Sequence, residues 1–410
     1  MTEHLSHLMR AYARQPVSFV RGRGARLWDA QGVEYLDAIA GVAVTSLGHA
    51  HPEIAAVIAE QVGMLLHTSN VFRIDWQETL GERLGALTGM QKAFFCNSGA
   101  EANEAALKLA RLYGHQKGIA TPRILVMDNG FHGRTIATLS ASGNPAKQAG
   151  FAPLLPGFLR VPYNDIDAVR CLAGQSPDIV AVLIEPVQGE GGIRVASTDY
   201  LRELRMLCDR QGWLLMLDEI QAGMGRTGAW FGYQHAGIVP DVITLAKALG
   251  NGFPIGACLA RGAVADLFAP GQHGSTFGGN PLACRVACTV LDIMARDGLP
   301  MRAAVLGERL LAGLRKALVA HPGVRAVRGL GLMVGIELDR DCKALVGRAL
   351  TEQRLLITVT RDTTIRLLPP LICNEVQIDE IVRRVAHLLT HGSDRELPAC
   401  GVVAQTALTA

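Results

Sequence analysis

The sequence predicts an α/β protein whose larger part is a seven-stranded, mostly parallel sheet, with a smaller α+β unit built from both chain ends. Seven short apolar runs follow one another in the middle of the chain, and helical segments lie between most of them. This alternation is typical of doubly wound sheets, whose strands are buried on both faces. The runs are residues 92–96, 123–127, 158–161, 179–185, 213–218, 241–245 and 255–260.

The composition agrees with a large folded protein and excludes several classes. The chain has 410 residues, 49% of them hydrophobic and 19% charged, so it can bury a large core and form more than one domain. A net charge of +3 without blocks of like charge does not indicate nucleic-acid binding. The sequence has no apolar run long enough to span a bilayer and no apolar leader. Its nine cysteines are scattered, so we expect a cytoplasmic protein with reduced thiols.

The part before the sheet is predicted to contain a hairpin and a helix. Residues 1–20 look weakly structured, although they could lie on a partner subunit. Residues 25–37 alternate around an Asp-Ala-Gln-Gly turn, which predicts a β-hairpin. A helix is predicted from Pro52 to about Leu66 because proline favours the first helical turn. We expect no metal at His49 and His51, since zinc sites more often use a helical i, i+4 pair with a further ligand.

The part after the sheet predicts the smaller unit. A helix should run from Pro281 to about Met294, and a second amphipathic helix should end near residues 321–323. A strand over 332–338, a helix, strands near 355–360 and 364–368, and a helix at about 376–390 should follow. We expect a large domain over residues 46–290, a small domain built from 1–45 and 291–392, and a loose tail over 393–410.

Two neighbouring strands of the predicted sheet end in residues of complementary chemistry. Residues 213–217 lead into Asp218, with Gln221 just beyond, and residues 242–245 lead to Lys247 among small residues. The carboxyl ends of parallel strands meet at one edge, so the acid and the lysine should share a crevice. A desolvated lysine can form a Schiff base, and a carboxylate can hold the protonated pyridine nitrogen of pyridoxal phosphate.

Two alternatives compete with this interpretation. A single lysine after a strand is a surface residue in most proteins, and an apolar run before Asp-Glu is also the Walker B pattern of P-loop ATPases. No lysine in this sequence is preceded by glycine, so the GxxxxGK[ST] loop of such ATPases cannot occur. The Schiff-base interpretation is therefore favoured.

Other candidate residues follow other strands of the sheet. Residues 98–100 open a helix, and a helix N-terminus with glycine suits a phosphate, although Asn-Ser-Gly is also an ordinary cap. Phe131 could stack on a planar cofactor, and Arg134 could bind a carboxylate. Glu185 and Glu190 lie on a glycine-rich loop after a further strand, where exposed acids are the ordinary outcome. Residues 273–281 form another glycine-rich loop, and a strand near the carboxyl end carries Arg366.

Together these segments resemble the class-III, or ω-, aminotransferases, which are pyridoxal-phosphate enzymes of fold-type I. The resemblance covers nearly the whole chain. The ordered motifs that carry it are GHAHPE, NSGAEANEAALKLAR, FHGRT, EPVQGEGG, LDEIQAGMGRTG, TLAKALGNGFPIGA, STFGGNPLA and IRLLPPL.

The resemblance implies a role for each matching residue. Lys247 would be the catalytic lysine, which binds the cofactor and moves a proton during the reaction. The other cofactor contacts would be Ser98, Gly99 and Ala100 at the phosphate, Phe131 on the ring, Asp218 at the pyridine nitrogen and Gln221 at the ring oxygen. Substrate would be bound by Arg134, Ser275 and Arg366, with Glu190 neutralising Arg366 while the amino donor is bound. Thr276 would reach the phosphate in the other subunit, which implies a homodimer with shared active sites and no metal.

The resemblance further implies transfer of the δ-amino group of an acylated ornithine to 2-oxoglutarate. In ornithine δ-aminotransferases, the segment that matches residues 39–46 supplies a tyrosine to the substrate's α-carboxylate. This segment reads IAGVAVTS here, without an aromatic residue, which favours N2-acetylornithine as donor and a place in arginine biosynthesis. The alternatives are succinylornithine, succinyl-diaminopimelate, ornithine, 4-aminobutyrate or a polyamine as donor, or a pyridoxal-phosphate mutase or decarboxylase of related fold.

Overall fold

The computed structural model describes residues 7–391, and its first regular elements form an antiparallel sheet. β1 (Phe19–Arg23) pairs with β2 (Arg26–Asp29), which pairs with β3 (Glu34–Asp37). The hairpin predicted over residues 25–37 is confirmed. The expectation of weak structure up to residue 20 is wrong for Phe19 and Val20, because β1 pairs with β2. Residues 1–6 of that expectation lie outside the described residues.

Three helical elements connect this hairpin to the large sheet. α1 (Ala40–Ala43) is a single turn with positive φ angles. At its start, Asp37 Oδ1 accepts hydrogen bonds from the backbone N–H groups of Ile39 and Ala40. α2 (Pro52–Met64) confirms the helix predicted after the hairpin. α3 (Asp75–Thr88) was not predicted, and it buries Leu80 and Leu84.

The large sheet contains every strand that the apolar runs predict. Its strands are β4 (Lys92–Cys96), β5 (Arg123–Met127), β6 (Phe158–Val161), β7 (Ile179–Ile184), β10 (Leu214–Asp218), β11 (Val242–Leu245) and β12 (Gly256–Ala260). The strand order is β4-β12-β11-β10-β7-β5-β6. β12 runs in the opposite direction to the other six strands, which all present their carboxyl ends at one edge. The predicted mostly parallel sheet is confirmed.

Helices cover both faces of this sheet. They are α4 (Gly99–Gln116), α5 (Ile136–Ala141), α6 (Pro145–Gln148), α7 (Ile166–Gln175), α8 (Thr198–Gln211) and α9 (Pro281–Arg296), and a short hairpin of β8 (Val187–Gln188) and β9 (Arg194–Val195) precedes α8. Successive residues of β10 alternate between the two cores: Leu214 and Met216 pack with α4, whereas Leu215 and Leu217 pack with α8. Within residues 7–391, no helix is long and apolar enough to cross a membrane.

The carboxyl-terminal part forms a second sheet and completes the first. Its elements are α10 (Leu299–Leu318), β13 (Val324–Leu330), β14 (Met333–Leu338), α11 (Ala344–Gln353), β15 (Leu355–Leu356), β16 (Thr358–Thr360), β17 (Thr364–Leu367) and α12 (Glu375–Thr390). The second sheet has the order β13-β14-β17-β16, while β15 pairs in parallel with β3. The run predicted as one strand near 355–360 is therefore two strands in different sheets, and β13 was not predicted. The smaller α+β unit does combine both chain ends. The tail from residue 393 lies outside the described residues.

Arg226 is buried where three parts of the chain meet. Its guanidinium donates to the carbonyl oxygens of Leu332 (3.0 Å) and Pro369 (2.5 Å) and to Ser46 Oγ (3.1 Å). The side chain is fully buried, and this burial lowers the pKa of Arg226 to about 10. One cation thus satisfies acceptors from the segment before α2, from the start of β14 and from the loop after β17.

We predict that Arg226→Met lowers the free energy of unfolding by about 3 kcal/mol, because it leaves three buried acceptors without a donor. Urea-induced unfolding at fixed protein and cofactor concentration measures the change. Arg325→Met is the matched control, since Arg325 is exposed on β13, and it should change stability by less than about 0.5 kcal/mol. Equal stability of the two variants would contradict a structural role for Arg226.

Candidate active site

A cavity of about 390 Å³ opens at the carboxyl edge of the large sheet. Asp218 and Lys247 both line it, because β10 and β11 run in parallel with Asp218 opposite Thr244. The structure also brings to this cavity most of the other residues singled out from the sequence: Ser98, Gly99, Ala100, Phe131, Arg134 and Gln221. Within residues 7–391, no cluster of three or more His, Cys, Asp or Glu side chains is arranged to hold a metal ion.

Lys247 projects into the cavity from a strained position on the backbone. Its φ is 49°, in the left-handed region that residues with a side chain seldom adopt. The amine has no hydrogen-bond or ion-pair partner within residues 7–391. Burial lowers the pKa of Lys247, and the positive charge of Arg366 lowers it further, whereas Asp218 and Glu190 oppose the shift. The free amine, which is the nucleophilic form, is thereby favoured.

The Asp218 carboxylate is held by a buried polar network. Asn103 Nδ2 donates to Asp218 Oδ2 (2.8 Å), and His132 Nδ1 lies 2.9 Å from the same oxygen. The backbone N–H of Ile220 donates to Asp218 Oδ1 (3.1 Å). Asn103 also donates to the backbone carbonyl of His132 (2.7 Å) and accepts from Thr244 Oγ1 (2.7 Å). Four elements therefore determine the direction of this carboxylate.

Asn103 was not identified from the sequence, and His132 was assigned no role. Asn103 is completely buried on α4, beside Ala102 and Ala106 in the apolar stripe of that helix. An amide in such a stripe needs partners, because an unpaired buried amide costs free energy. A polar residue within this apolar stripe was the feature of the sequence from which Asn103 could have been identified. His132 was visible only as part of the segment Phe131–Arg134, and His132 Nε2 is buried without a hydrogen bond within the described residues.

The start of α4 forms a cradle suited to a phosphate. Ser98 caps the helix and accepts a hydrogen bond from the backbone N–H of Glu101 (3.2 Å). The N–H groups of Gly99 and Ala100 lie in the first turn, where a helix offers them no acceptor. A Cβ atom at Gly99 would lie 2.7 Å from Ile220, so the close approach of these two segments requires glycine here.

Glu185 fixes the loop that carries Phe131 and Arg134. Its carboxylate accepts from the backbone N–H groups of Phe131 (2.8 Å) and Gly189 (3.1 Å). Burial raises the pKa of Glu185 to about 7, although the nearby His132 opposes this shift. The Arg134 guanidinium lies over the Phe131 ring, 5.4 Å from its centroid, and the Arg134 side chain is exposed at the mouth of the cavity.

Glu190 and Arg366 form an ion pair beside this cavity. Arg366 Nη1 donates to Glu190 Oε1 (2.6 Å), and Arg366 Nε donates to Thr358 Oγ1 (3.1 Å). Arg366 Nη1 also lies 3.4 Å from Gln221 Oε1, which connects the pair to the cavity wall. Burial alone would raise the pKa of Glu190, but the charge and hydrogen bond of Arg366 outweigh it and the pKa is lowered. Glu190 is therefore held as the carboxylate.

Ser275 and Thr276 do not line the cavity of their own chain. Ser275 Oγ accepts hydrogen bonds from Asn97 Nδ2 (3.2 Å) and from the backbone N–H of Gly278 (3.0 Å). Thr276 is exposed. The substrate contact expected of Ser275 and the contact across a dimer expected of Thr276 both stay predictions.

These residues fit pyridoxal phosphate. The cavity contains a lysine amine without a partner, a carboxylate held in one direction, an aromatic ring and an anion cradle, which match the aldehyde, pyridine nitrogen, ring and phosphate of that molecule. The fold and this site define a pyridoxal-phosphate enzyme of fold-type I.

The chain belongs to the class-III aminotransferases, and it is a pyridoxal-phosphate-dependent transaminase. The family model Aminotransferase class-III matches residues 9–389. The sequence is 54% identical over 386 residues to an acetylornithine aminotransferase from Nitrosomonas europaea, with 94% of this chain and 98% of the relative covered. An ornithine aminotransferase structure from Toxoplasma gondii ME49 is similar with a TM-score of 0.90 at 35% identity, covering 93% and 92% of the two chains. An acetylornithine aminotransferase structure from Elizabethkingia anophelis has a TM-score of 0.84 at 34% identity, covering 94% and 97%.

We predict that Asn103→Ala weakens pyridoxal-phosphate binding by about 10- to 100-fold, because a hydrogen bond to a carboxylate contributes roughly 1.5–3 kcal/mol. Fluorescence titration of the cofactor-free protein measures the dissociation constant. Thr244→Val provides a graded control: it removes only the hydroxyl that donates to Asn103, and its effect should be smaller. A larger loss in Thr244→Val than in Asn103→Ala would contradict the proposed order of contacts.

Proposed function

We propose that this transaminase moves the δ-amino group of N2-acetylornithine to 2-oxoglutarate, giving N-acetylglutamate 5-semialdehyde and glutamate, as a step of arginine biosynthesis. The observation that carries the proposal is the Glu190–Arg366 pair beside the cavity of Lys247. A site that accepts a carboxylate in one half-reaction and an uncharged chain end in the other needs a removable counter-charge. The names of the relatives support acetylornithine as the donor.

The wall of the cavity supports an acylated donor over free ornithine. Val44 lines the cavity from the segment 39–46, where ornithine δ-aminotransferases are expected to have a tyrosine for the substrate's α-carboxylate. The apolar Val44 side chain offers no hydrogen bond to the charged α-carbon end of free ornithine. Arg134, which has no ion-pair partner within residues 7–391, would instead bind the α-carboxylate of an acylated donor at the mouth.

The cofactor-binding residues would act as the resemblance implies. Ser98, Gly99 and Ala100 would hold the phosphate, Phe131 would stack on the ring, Gln221 would donate to the ring oxygen, and Asp218 would hold the pyridine nitrogen in its protonated form. When bound, pyridoxal phosphate supplies an electron sink that stabilises negative charge on the carbon from which the amino group is transferred. Lys247 would bind the cofactor covalently, and its Nζ, once free, would take the proton from that carbon and deliver it to the aldehyde carbon of the cofactor, with the reverse transfer in the 2-oxoglutarate half-reaction.

Glu190 and Arg366 would distinguish the two substrates. While the acetylornithine chain occupies the site, Glu190 would neutralise Arg366. The guanidinium belongs to a residue that is only 3% exposed, so without Glu190 its charge would be buried and uncompensated. When 2-oxoglutarate enters, its second carboxylate would take the place of Glu190 on Arg366. The Glu190 side chain is 40% exposed, so it can turn to solvent without leaving a buried charge.

We also propose a homodimer with shared active sites, which the surface beside Thr276 supports. Exposed apolar side chains occur in the segment 65–72 and at the residue after Thr276: Leu65, Leu66, Val71, Phe72 and Phe277. The ring centroids of His67 and Phe277 lie 5.3 Å apart. Asn70 Nδ2 donates to the carbonyl oxygens of Ser275 (2.9 Å) and Gly278 (3.0 Å), so the two segments form one surface. Exposed apolar side chains grouped on such segments favour association with a second copy. Thr276 would then reach the partner's phosphate site.

We place the enzyme in the cytoplasm, with the domain boundaries near residues 45 and 290.

The visible absorbance of the purified protein tests the proposed reaction. Adding N2-acetylornithine without a keto acid should remove the yellow cofactor band, and 2-oxoglutarate should restore it. A yellow protein that responds to ornithine or 4-aminobutyrate but not to N2-acetylornithine would overturn the donor.

Lys247→Ala is the control for this measurement. The variant should keep the circular dichroism spectrum of the native protein but show no turnover, because no other lysine lines the cavity. Transamination at the native rate in Lys247→Ala would overturn the assignment of the catalytic lysine. A native protein that cannot be reconstituted with pyridoxal phosphate would contradict the cofactor.

We predict that Arg366→Ala slows the 2-oxoglutarate half-reaction by about 100-fold, because a charged hydrogen-bond partner of the second carboxylate is lost. The acetylornithine half-reaction should change much less. Single-turnover absorbance changes measure each half-reaction separately. Glu190→Gln should slow the acetylornithine half-reaction more than the 2-oxoglutarate half-reaction, since it leaves the charge of Arg366 uncompensated while the donor is bound. Equal losses in both half-reactions for Arg366→Ala would argue against the exchange of partners.

A further inference from the structure

A second large cavity lies on the other side of the loop that carries Glu190. Its volume is about 710 Å³, and it shares no lining residue with the cavity of Lys247. Its wall includes Gln188 and Gly191, which flank Glu190 on both sides. The other sides come from the loops after β5 and β6, from β9, α10 and β13, and from the β16–β17 hairpin.

The wall of this cavity has an excess of positive charge. Four arginines line it, Arg194, Arg315, Arg328 and Arg361, whereas Asp128 is the one acid among the described residues of the wall. Glu337 pairs with two of these arginines, Arg194 (3.1 Å) and Arg328.

The other two arginines have no acidic partner within residues 7–391. Arg315 donates only to the backbone carbonyl of Val327 (3.3 Å), and Arg361 donates to the amide oxygen of Asn129. Guanidinium groups without carboxylate partners, turned to a common cavity, are suited to bidentate contacts with an oxyanion.

The backbone holds Arg361 at this cavity in an unfavourable conformation. Arg361 and Asp362 form the turn between β16 and β17 with φ angles of 51° and 61°, and Asn129 opposite has a φ of 62°. Non-glycine residues in the left-handed region cost free energy, and such positions concentrate at functional sites. Both strained segments meet in the Arg361–Asn129 hydrogen bond at the cavity wall. The turn and this hydrogen bond place the Arg361 guanidinium at the cavity wall, which adds a geometric observation to the charge argument.

We propose that this cavity is a binding site for a small multiply charged oxyanion, held by Arg315 and Arg361. The ligand is of the phosphate or polycarboxylate class, because its oxygens can accept from several guanidinium groups at once. A bound anion would lie against residues 188–191 and thus against the backbone that positions Glu190. The site is separate from the proposed transaminase reaction and does not depend on the identity of the donor.

Isothermal titration of the holoenzyme tests the proposal. The protein is loaded with pyridoxal phosphate, so that the cradle at α4 is filled, and is titrated with sodium phosphate or trisodium citrate at constant ionic strength, with sodium chloride as reference. At least one of the two anions should bind saturably with one site per chain. Arg315→Gln and Arg361→Gln should each weaken that binding at least tenfold.

Arg325→Gln is the charge-matched control, because Arg325 is exposed on β13, the strand of Arg328, but does not line the cavity. Its dissociation constant should stay within about twofold of the native value, a difference of only ~0.4 kcal/mol. Phosphate binding alone would define a phosphate-type ligand, and citrate binding alone would define a polycarboxylate. The proposal is overturned if neither anion binds, or if binding survives unchanged in Arg315→Gln. Arg315 makes only one weak contact, so this variant decides the question even if Arg361→Gln does not fold.

Discussion

The hydrogen bonds to the Asp218 carboxylate are the interaction on which the site depends. Asn103 reaches this acid from α4, the helix whose first turn forms the phosphate cradle, and His132 reaches it from the loop that carries Phe131. Thr244 connects the same network to β11, which leads to Lys247. Since these bonds are buried, they help to fix the distances between the cradle, the acid and the amine.

Charge in and around the cavity follows from burial. Burial and the positive charge of Arg366 lower the pKa of the Lys247 amine, while Arg366 itself is paired with the carboxylate of Glu190. Glu190 therefore affects both groups. Gln188 and Gly191 in the loop that carries Glu190 also line the arginine-lined cavity. The Glu190–Arg366 pair would allow the cavity of Lys247 to accept substrates of different charge.

The strands of the large sheet could be predicted because both of their faces are buried, which makes each strand a short continuous apolar run. β13 was missed because its sequence, VRAVRGL, contains two arginines and packs with only partial burial. α3 was missed because no side chain caps its start and charged residues occupy much of its surface. The division of residues 355–360 between two sheets depends on which strands lie alongside, and local sequence carries no signal for that choice.

The sequence by itself determined the seven strands of the large sheet, the acid and the lysine at the ends of β10 and β11, and the family that its motifs resemble. These depend on local patterns: apolar runs, turn residues and short motifs. Only the tertiary structure decided that Asn103 holds Asp218, that Arg366 lies on Glu190, and that Arg315 and Arg361 face a common cavity. Each of these contacts joins residues far apart in the chain, so their approach depends on the packing of whole elements and leaves no pattern in neighbouring residues.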